Sequence, residues 1–271
     1  MRRTPATRPK VMHKGFRHLL GLCSVIAAAL LRPGPVVRLL SRRFPDVLFK
    51  QANSGPIVAL TFDDSPHATS TPRILDVLAA HDARATFFVI GAHVAGNEEI
   101  VRRLIAEGHE VGNHMLSDAP SARLPAAEFE RQLRKTHEIL ARFGPVRWFR
   151  PGHTWFTRRM LDQIHRHGYR CVMASAYAFE FLPIPAPYAA QHVLLSVRPG
   201  GVIILHDGAA DQERTVAVLE RLLPALRRRG YRVVTVSELA AAGQMPTVDR
   251  ARTSSDRTNV REAGPFSGSG T

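Results

Sequence analysis

Two adjacent acidic residues, Asp63 and Asp64, follow an apolar stretch that begins at Ile57. Neighbouring carboxylates repel each other when both are ionised, so a folded site must relieve that repulsion. A divalent cation bound by one carboxylate does so and leaves the other free to act as a base. The structural alternative for either residue is a turn-forming Asp at the end of a strand.

His114 and Asp118 form a second group of candidate side chains. A His and a carboxylate four residues apart share one face if the segment turns helically, and both are competent metal ligands. Each residue also has a structural alternative. For His114 the alternative role is that of a hydrogen-bonded polar residue at a strand end. For Asp118 it is that of a cap before Ala119-Pro120.

Arg150 follows the aromatic pair Trp148-Phe149. A partly buried Arg needs a carboxylate partner, and Asp63 and Glu180 are the candidates. Such an Arg would keep a catalytic base ionised and oriented. The alternative is a surface Arg whose aliphatic stem covers the aromatic rings.

His206 ends the most apolar of the predicted strands, at Val202–Leu205. A His at such a position can donate a proton to a departing amine, because its pKa normally lies close to neutral pH. A buried structural His is the alternative.

The elements that must position these residues alternate regularly. Short apolar runs predict strands at 57–62, 85–90, 110–114, 148–150, 171–175, 201–206 and 232–236. Helical patterns lie between them at 72–80, 97–106, 126–143, 158–167, 188–197 and 215–229. This alternation predicts an α/β domain with a parallel sheet, and about seven strands fit an open or irregular barrel better than a two-faced sheet. The candidate residues then meet at the carboxyl ends of the strands, on one rim.

The candidate residues fall into motifs that follow one another in a fixed order. The motifs and their flanks are Thr61-Phe62-Asp63-Asp64, Ala85–Gly91, Gly108–His114, Arg150-Pro151 and Leu205-His206-Asp207. Together they resemble the polysaccharide deacetylase family, also known as the NodB homology domain or carbohydrate esterase family 4. The resemblance covers about residues 56–240.

The resemblance implies a distorted (β/α) barrel with about seven parallel strands and a divalent metal, usually zinc. Asp64 and His114 match two of the family's metal ligands. The third ligand is commonly a His four residues after the first, and Asp118 stands there in this chain. A second carboxylate makes the metal a weaker Lewis acid and the site less selective for zinc.

The same matching implies the roles of the catalytic residues. Asp63 is the general base that deprotonates a metal-bound water, and His206 protonates the departing amine. Arg150 holds Asp63 in place.

The matching also implies which residues surround the substrate. Ile204 lines a pocket for the acetyl methyl group, a backbone N–H near Gly152–His153 helps the metal to hold the oxyanion, and Trp155 supplies an aromatic wall. Glu180 and Asp207 are expected behind the reacting groups, with Glu180 bracing Arg150.

The chain departs from the family pattern at several positions. The family's Arg-Pro-Pro-x-Gly becomes Arg-Pro-Gly-His from Arg150 onward, and Ser65 replaces a Gly. The family's Asp-rich fourth motif is absent, and residues 175–180 occupy its place. These departures indicate a subfamily with its own substrate.

Three functions therefore compete. The first is removal of N-acetyl groups from an acetylated glycan, peptidoglycan or chitin-like. The second is hydrolysis of another C–N bond or of an O-acetyl ester in a small molecule, for which the altered fourth motif is the main support. The third is a non-catalytic, glycan-binding envelope protein, which would be indicated by a degraded metal site.

Charge is distributed unevenly along the 271 residues, whose net charge is +14. Residues 1–50 carry eleven Lys or Arg and one Asp, so the rest of the chain is only mildly basic. This distribution argues against a nucleic-acid groove. It favours three regions: a basic N-terminal arm (1–50), a catalytic domain (51–245) and a disordered polar tail (246–271).

The arm has several possible roles. Its apolar run Leu19–Leu31 fits a signal peptide, a membrane anchor or a packed helix. Val36–Lys50 suits an amphipathic surface helix that contacts anionic lipid. A location in the cell envelope is favoured, the cytoplasm stays open, and a monomer is expected. Cys23 and Cys171 are the only cysteines, and a structural disulfide between them is not expected because Cys23 lies in the apolar run.

Overall fold

A computed structural model of the chain describes residues 34–52, 54–179, 183–208 and 212–243. Within these residues, strands and helices alternate as the sequence predicts. The strands are β1 (Val47–Leu48), β2 (Ile57–Ser65), β3 (Thr86–Val89), β4 (Glu110–Asn113), β5 (Trp148–Phe149), β6 (Arg170–Val172), β7 (Ala176–Tyr177), β8 (Val202–His206) and β9 (Arg232–Val234). The helices are α1 (Gly34–Arg43), α2 (Ser70–Ala80), α3 (Glu98–Ala106), α4 (Ala126–Leu140), α5 (Arg158–Arg166), α6 (Ala186–Ser196), α7 (Gln212–Arg228) and α8 (Val236–Ala242).

The strands form one curled parallel sheet with the order β1-β6-β5-β4-β3-β2-β8-β7, and β9 pairs with β2 beside this path. Each strand-to-strand pairing is parallel. Parallel neighbours need long crossover connections, which the helices supply. The predicted α/β class and distorted barrel architecture are confirmed.

Strand β2 is the centre of the sheet. Its first residues pair with β9, its middle with β8 from Ala59 to Asp63, and its last residues with β3. Because β2 is covered on both sides, most of its residues are fully buried. The carboxyl ends of β2, β4, β5 and β8 thereby lie side by side, and these are the ends that carry the candidate residues.

The structure adds elements that the sequence pattern missed. The seven predicted strands are present, and the structure adds β1 and β7, each of which is two residues long. Helix α8 was also missed, although Thr235 and Glu238 form a capping box at its start.

The expected amphipathic helix at Val36–Lys50 is wrong in its second half. Helix α1 ends at Arg43, and Val47–Leu48 pairs with Cys171 and Val172 as strand β1. Sheet pairing therefore crosses the boundary predicted between residues 50 and 51. The apolar run at 19–31, Cys23 and the predicted polar tail lie outside the described residues.

In the described part of the chain, no helix combines the length and the apolar composition that crossing a bilayer requires. Cys171 is a buried free thiol in β6, and burial raises its pKa to about 12.

Gly112 of β4 provides a test of the packing between neighbouring strands. A methyl group at this position would lie 2.5 Å from Cε1 of Phe88 and 3.2 Å from the Trp148 carbonyl oxygen. We expect Gly112→Ala to lower the free energy of unfolding by about 1–3 kcal/mol, the usual range for overpacking. Urea denaturation measures the change.

Gly34→Ala is the matched control, because no atom lies within 4 Å of a methyl group there. Its stability should equal that of the wild type or exceed it slightly, since Ala favours a helix more than Gly does. Equal stability of the Gly112 variant and the wild type would contradict the close contact between β4 and Phe88.

Candidate active site

The site is built on a buried ion pair between Arg150 and Asp63. Nη1 of Arg150 donates to Oδ1 of Asp63 at 2.7 Å, and the two residues are 1% and 3% exposed. The same Nη1 donates to the Thr61 hydroxyl at 2.7 Å, and Nε donates to the Val172 carbonyl at 3.3 Å. The guanidinium carbon also lies 4.2 Å from the centre of the Phe88 ring. Arg150 is therefore the partner of Asp63 that the sequence predicted, and the surface alternative is wrong.

His114 lies against both acidic residues. Its Nε2 is 3.7 Å from Oδ2 of Asp63 and 3.5 Å from Oδ1 of Asp64. Its Nδ1 lies 2.8 Å from the Arg150 carbonyl oxygen, which can only accept a hydrogen bond. The Nδ1 nitrogen therefore carries a proton, and Nε2 faces the two carboxylates.

Asp64 has a left-handed backbone conformation with φ of 68°. Few residues other than Gly adopt this conformation without strain. Nδ1 of His93 donates to the Asp64 carbonyl at 2.9 Å. The turn Gly91–His93 also donates from two backbone N–H groups to the carbonyls of Met115 and Leu116. This turn therefore ties the Asp64 loop to the His114 loop.

The two carboxyl groups differ in acidity. Burial opposes ionisation of Asp63, but the charges of Arg150, His114 and His206 outweigh burial and hold the pKa of Asp63 below its usual value. Burial raises the pKa of Asp64 despite the opposing charge of His114, and the charges of Asp63 and Asp118 add to the increase. Asp63 is thus stabilised as an anion, whereas Asp64 lacks a full counter-charge from the protein.

His206 of β8 lies beside Asp63 of the neighbouring strand β2. The two residues are direct partners in the register of β2 and β8, and His206 is exposed at the rim. Ile204 lies two residues earlier on the same face and is 5% exposed. This arrangement matches the predicted position of an acid next to an apolar lining.

Asp207 is fully buried behind the rim. Its carboxylate accepts hydrogen bonds from the hydroxyls of Ser65 (2.9 Å), Ser70 (2.5 Å) and Thr71 (2.5 Å). Burial raises its pKa, although these three donors favour the ionised form. Asp207 therefore fastens the segment after β2 to the end of β8. Ser65, where the family has Gly, takes part in this network.

Asp118 lies on the rim without joining His114. Its side chain is 64% exposed and lies 3.4 Å from Nε2 of His153. Among the described residues, no group of three or more His, Cys, Asp or Glu side chains is arranged to hold a metal ion. Asp118 as the third ligand stays a prediction, and in this structure it pairs with His153 instead.

The segment after β5 places the expected substrate-binding residues. The Gly152 N–H donates to the Ser121 hydroxyl at 2.9 Å, so it is not free for an oxyanion. Of the two N–H groups predicted to bind an oxyanion, that of His153 is the remaining candidate. The backbone of His153 has a left-handed φ of 58°. Trp155 stands 74% exposed.

The structure therefore brings together Asp63, Asp64, His114 and Arg150 by direct contact and adds His206 through strand register. Glu180, the predicted brace of Arg150, lies outside the described residues. Sequence reasoning missed Thr61 and His93. Alternation along β2 could have identified Thr61, because it lies on the same face as Asp63. His93 belongs to none of the sequence motifs, so sequence reasoning had no basis for selecting it.

Comparison with known proteins gives consistent matches. A sequence profile for polysaccharide deacetylases matches residues 50–172. A peptidoglycan-N-acetylglucosamine deacetylase of Bacillus cereus is 33% identical over 197 residues, which cover 71% of this chain and 92% of that protein. A chitooligosaccharide deacetylase of Sinorhizobium fredii is 35% identical over 195 residues, covering 67% of this chain and 91% of that protein. The crystal structure of a family 4 acetyl xylan esterase from Clostridium thermocellum with a cobalt ion has a TM-score of 0.66 and 30% identity, covering 70% of this chain and 93% of that chain.

The Arg150–Asp63 pair predicts a pH-dependent loss of stability in Arg150→Met. At neutral pH we expect a decrease of about 3–5 kcal/mol, because a buried carboxylate loses its partner. The pKa of Asp63 is lowered in the folded protein, so the pair stabilises the fold above the unfolded value of about 4. The difference between variant and wild type should therefore shrink as the pH falls below about 4.

Arg73→Met removes an exposed pair with Glu213 and serves as the control, with a change close to zero. Chemical denaturation over a pH series measures both variants. A loss in Arg150→Met that stays constant from neutral to acidic pH would show that the ion pair is not its cause.

Proposed function

The chain belongs to the polysaccharide deacetylase family of hydrolases, and we propose that it removes N-acetyl groups from an acetylated glycan of the peptidoglycan or chitin type with the help of a divalent metal. The main support is the contact of His114 with both Asp63 and Asp64, next to the buried Arg150. The deacetylases that this chain resembles are named for peptidoglycan N-acetylglucosamine and chitooligosaccharides.

The residues around His114 fit a cation. Nε2 of His114 lies 3.5 Å from Oδ1 of Asp64 and 3.7 Å from Oδ2 of Asp63, so an imidazole nitrogen and carboxylate oxygens, which are common zinc ligands, lie next to each other. Asp64 and His114 would hold the metal, with Asp118 as the third ligand after release from His153. Zinc is the usual metal of the family, and the added carboxylate broadens the choice.

The bound metal would supply an acidified water and polarise the acetamide carbonyl. Asp63 accepts a proton from the water as its oxygen attacks the carbonyl carbon. Arg150 keeps Asp63 ionised for this step. The His153 N–H is the proposed hydrogen-bond donor to the developing oxyanion, and His206 donates its proton to the amine nitrogen as the C–N bond breaks. The products are acetate and a free amino sugar.

Hydrolysis of an O-acetyl ester is the second candidate, because a structural relative is named as an acetyl xylan esterase. The two substrates make different demands on His206. An amine leaves only after protonation, whereas an alkoxide leaves with less help from an acid. His206→Ala should therefore reduce amide hydrolysis more than ester hydrolysis.

We expect Asp63→Asn to lose acetate release by about 100- to 10,000-fold, the usual contribution of a general base. N-acetylglucosamine oligomers and peptidoglycan fragments are the substrates, and zinc and cobalt are added in turn. Metal content, measured by elemental analysis, should stay near that of the wild type because Asp63 is not a proposed ligand.

Asp64→Asn is the matched variant, and it should lose bound metal together with activity. Asp118→Ala should also weaken metal binding if it is the third ligand. A wild-type protein that takes up no metal, or that releases no acetate from any acetylated glycan, would overturn the proposed function.

His93 allows a test of metal affinity that does not depend on turnover. We expect His93→Leu to weaken zinc binding by about 10- to 100-fold, as is typical when a group that positions a ligand is removed. His93→Asn should restore much of the affinity, because its amide can donate from the place of Nδ1. Competition with a chromophoric chelator gives the dissociation constants.

His165→Leu, an exposed position on α5, is the control for the loss of an imidazole. If the Leu and Asn variants of His93 bind zinc equally well, its hydrogen bond to Asp64 does not position the ligand.

A further inference from the structure

Helix α1 presents an unusual outward face. Val37 is buried against the domain core, and Leu40 and Phe44 pack beside it. On the opposite side Leu39 is 68% exposed and Val36 is 39% exposed. The exposed basic residues Arg38, Arg42 and Arg43 flank these two apolar side chains. We refer to Val36, Arg38, Leu39, Arg42 and Arg43 as the α1 face.

The α1 face is strongly positive. The helix contains no acidic residue. Arg43 lies over the Phe44 ring at 5.1 Å, and Arg158 of α5 lies over the same ring at 5.7 Å, which adds a further cation next to the face. The segment that precedes α1, residues 1–33, contains seven Lys or Arg and no Asp or Glu. The partner must therefore be negatively charged.

The small apolar area decides between possible partners. Stable protein interfaces bury roughly 800 Å² on each side around an apolar centre. Two aliphatic side chains among three guanidinium groups are far from that. They match a lipid surface, where short apolar side chains enter the headgroup region and Arg residues pair with phosphates. We propose that the α1 face docks on a bilayer that contains anionic lipids.

The core side of helix α1 packs next to the loop that follows β5. The rings of Phe44 and Phe156 touch edge to face at 5.0 Å, and Phe156 directly follows the exposed Trp155. Phe44, which directly follows α1, thus joins the helix to the segment that carries Gly152 and His153. The α1 face lies outside the proposed catalytic residues, so docking through it is independent of the proposed function.

Vesicle flotation with the full chain tests the proposal. The probes are phosphatidylcholine vesicles and vesicles that also contain phosphatidylglycerol. We expect binding to the anionic vesicles only, weakened by salt. Replacing Arg38, Arg42 and Arg43 by Gln should lower the binding at least tenfold. The double variant Val36→Ser and Leu39→Ser should also lower the binding to anionic vesicles, although its net charge is the same as that of the wild type.

Two matched controls distinguish binding by the α1 face from non-specific effects of positive charge and of exposed apolar side chains. Gln at Arg221, Arg227 and Arg228, exposed residues of α7, removes the same charge elsewhere. Leu195→Ser removes a side chain that is 60% exposed on α6. Both should bind like the wild type, and thermal unfolding checks that all variants fold.

Three results would overturn the proposal. The first is absence of binding to anionic vesicles. The second is equal binding by the α1 variants and the wild type, which would assign the binding to residues 1–33. The third is self-association that only the α1 variants lose, which would make a second copy the partner.

Discussion

The buried ion pair between Arg150 and Asp63 is the interaction on which the rest of the site depends. Burying either charge alone is unfavourable by several kcal/mol, so the two must be placed together. The Thr61 hydroxyl, the Val172 carbonyl and the Phe88 ring hold the guanidinium from three sides. The backbone carbonyl of the same residue also accepts a hydrogen bond from Nδ1 of His114. One residue thereby sets the charge of the expected base and the orientation of the expected ligand.

The rim around this pair is built from strained backbone. Asp64, Met115, His153 and Thr154 all have positive φ angles, and none of them is Gly. Such conformations persist where the surroundings supply compensating contacts, and they concentrate at functional sites. Here the contacts are visible for Asp64 in its hydrogen bond from His93, and for the segment before His153 in the bond from Gly152 to Ser121.

The fold followed from the sequence to a large extent, because long buried strands and amphipathic helices leave a clear hydrophobic period. Strand β1 was missed because its segment mixes apolar and basic residues in a way that suits a helix, and β7 was missed because it lies in the segment that departs from the family pattern. At the site, Asp63, Asp64 and His114 were predictable because strand ends converge in a parallel sheet. The pairing of Asp118 with His153 was not, because it joins loops 35 residues apart and depends on side-chain conformations.

The register of β2 and β8 has a consequence for what can vary in such a protein. Asp63 and His206 are direct partners on adjacent strands, which lie about 4.8 Å apart in any parallel sheet. The spacing between the backbone positions of the proposed proton acceptor and the proposed proton donor is therefore a property of the main chain. Substitutions in the surrounding loops can change which molecule enters the site, but the distance between these two backbone positions is inherited with the sheet.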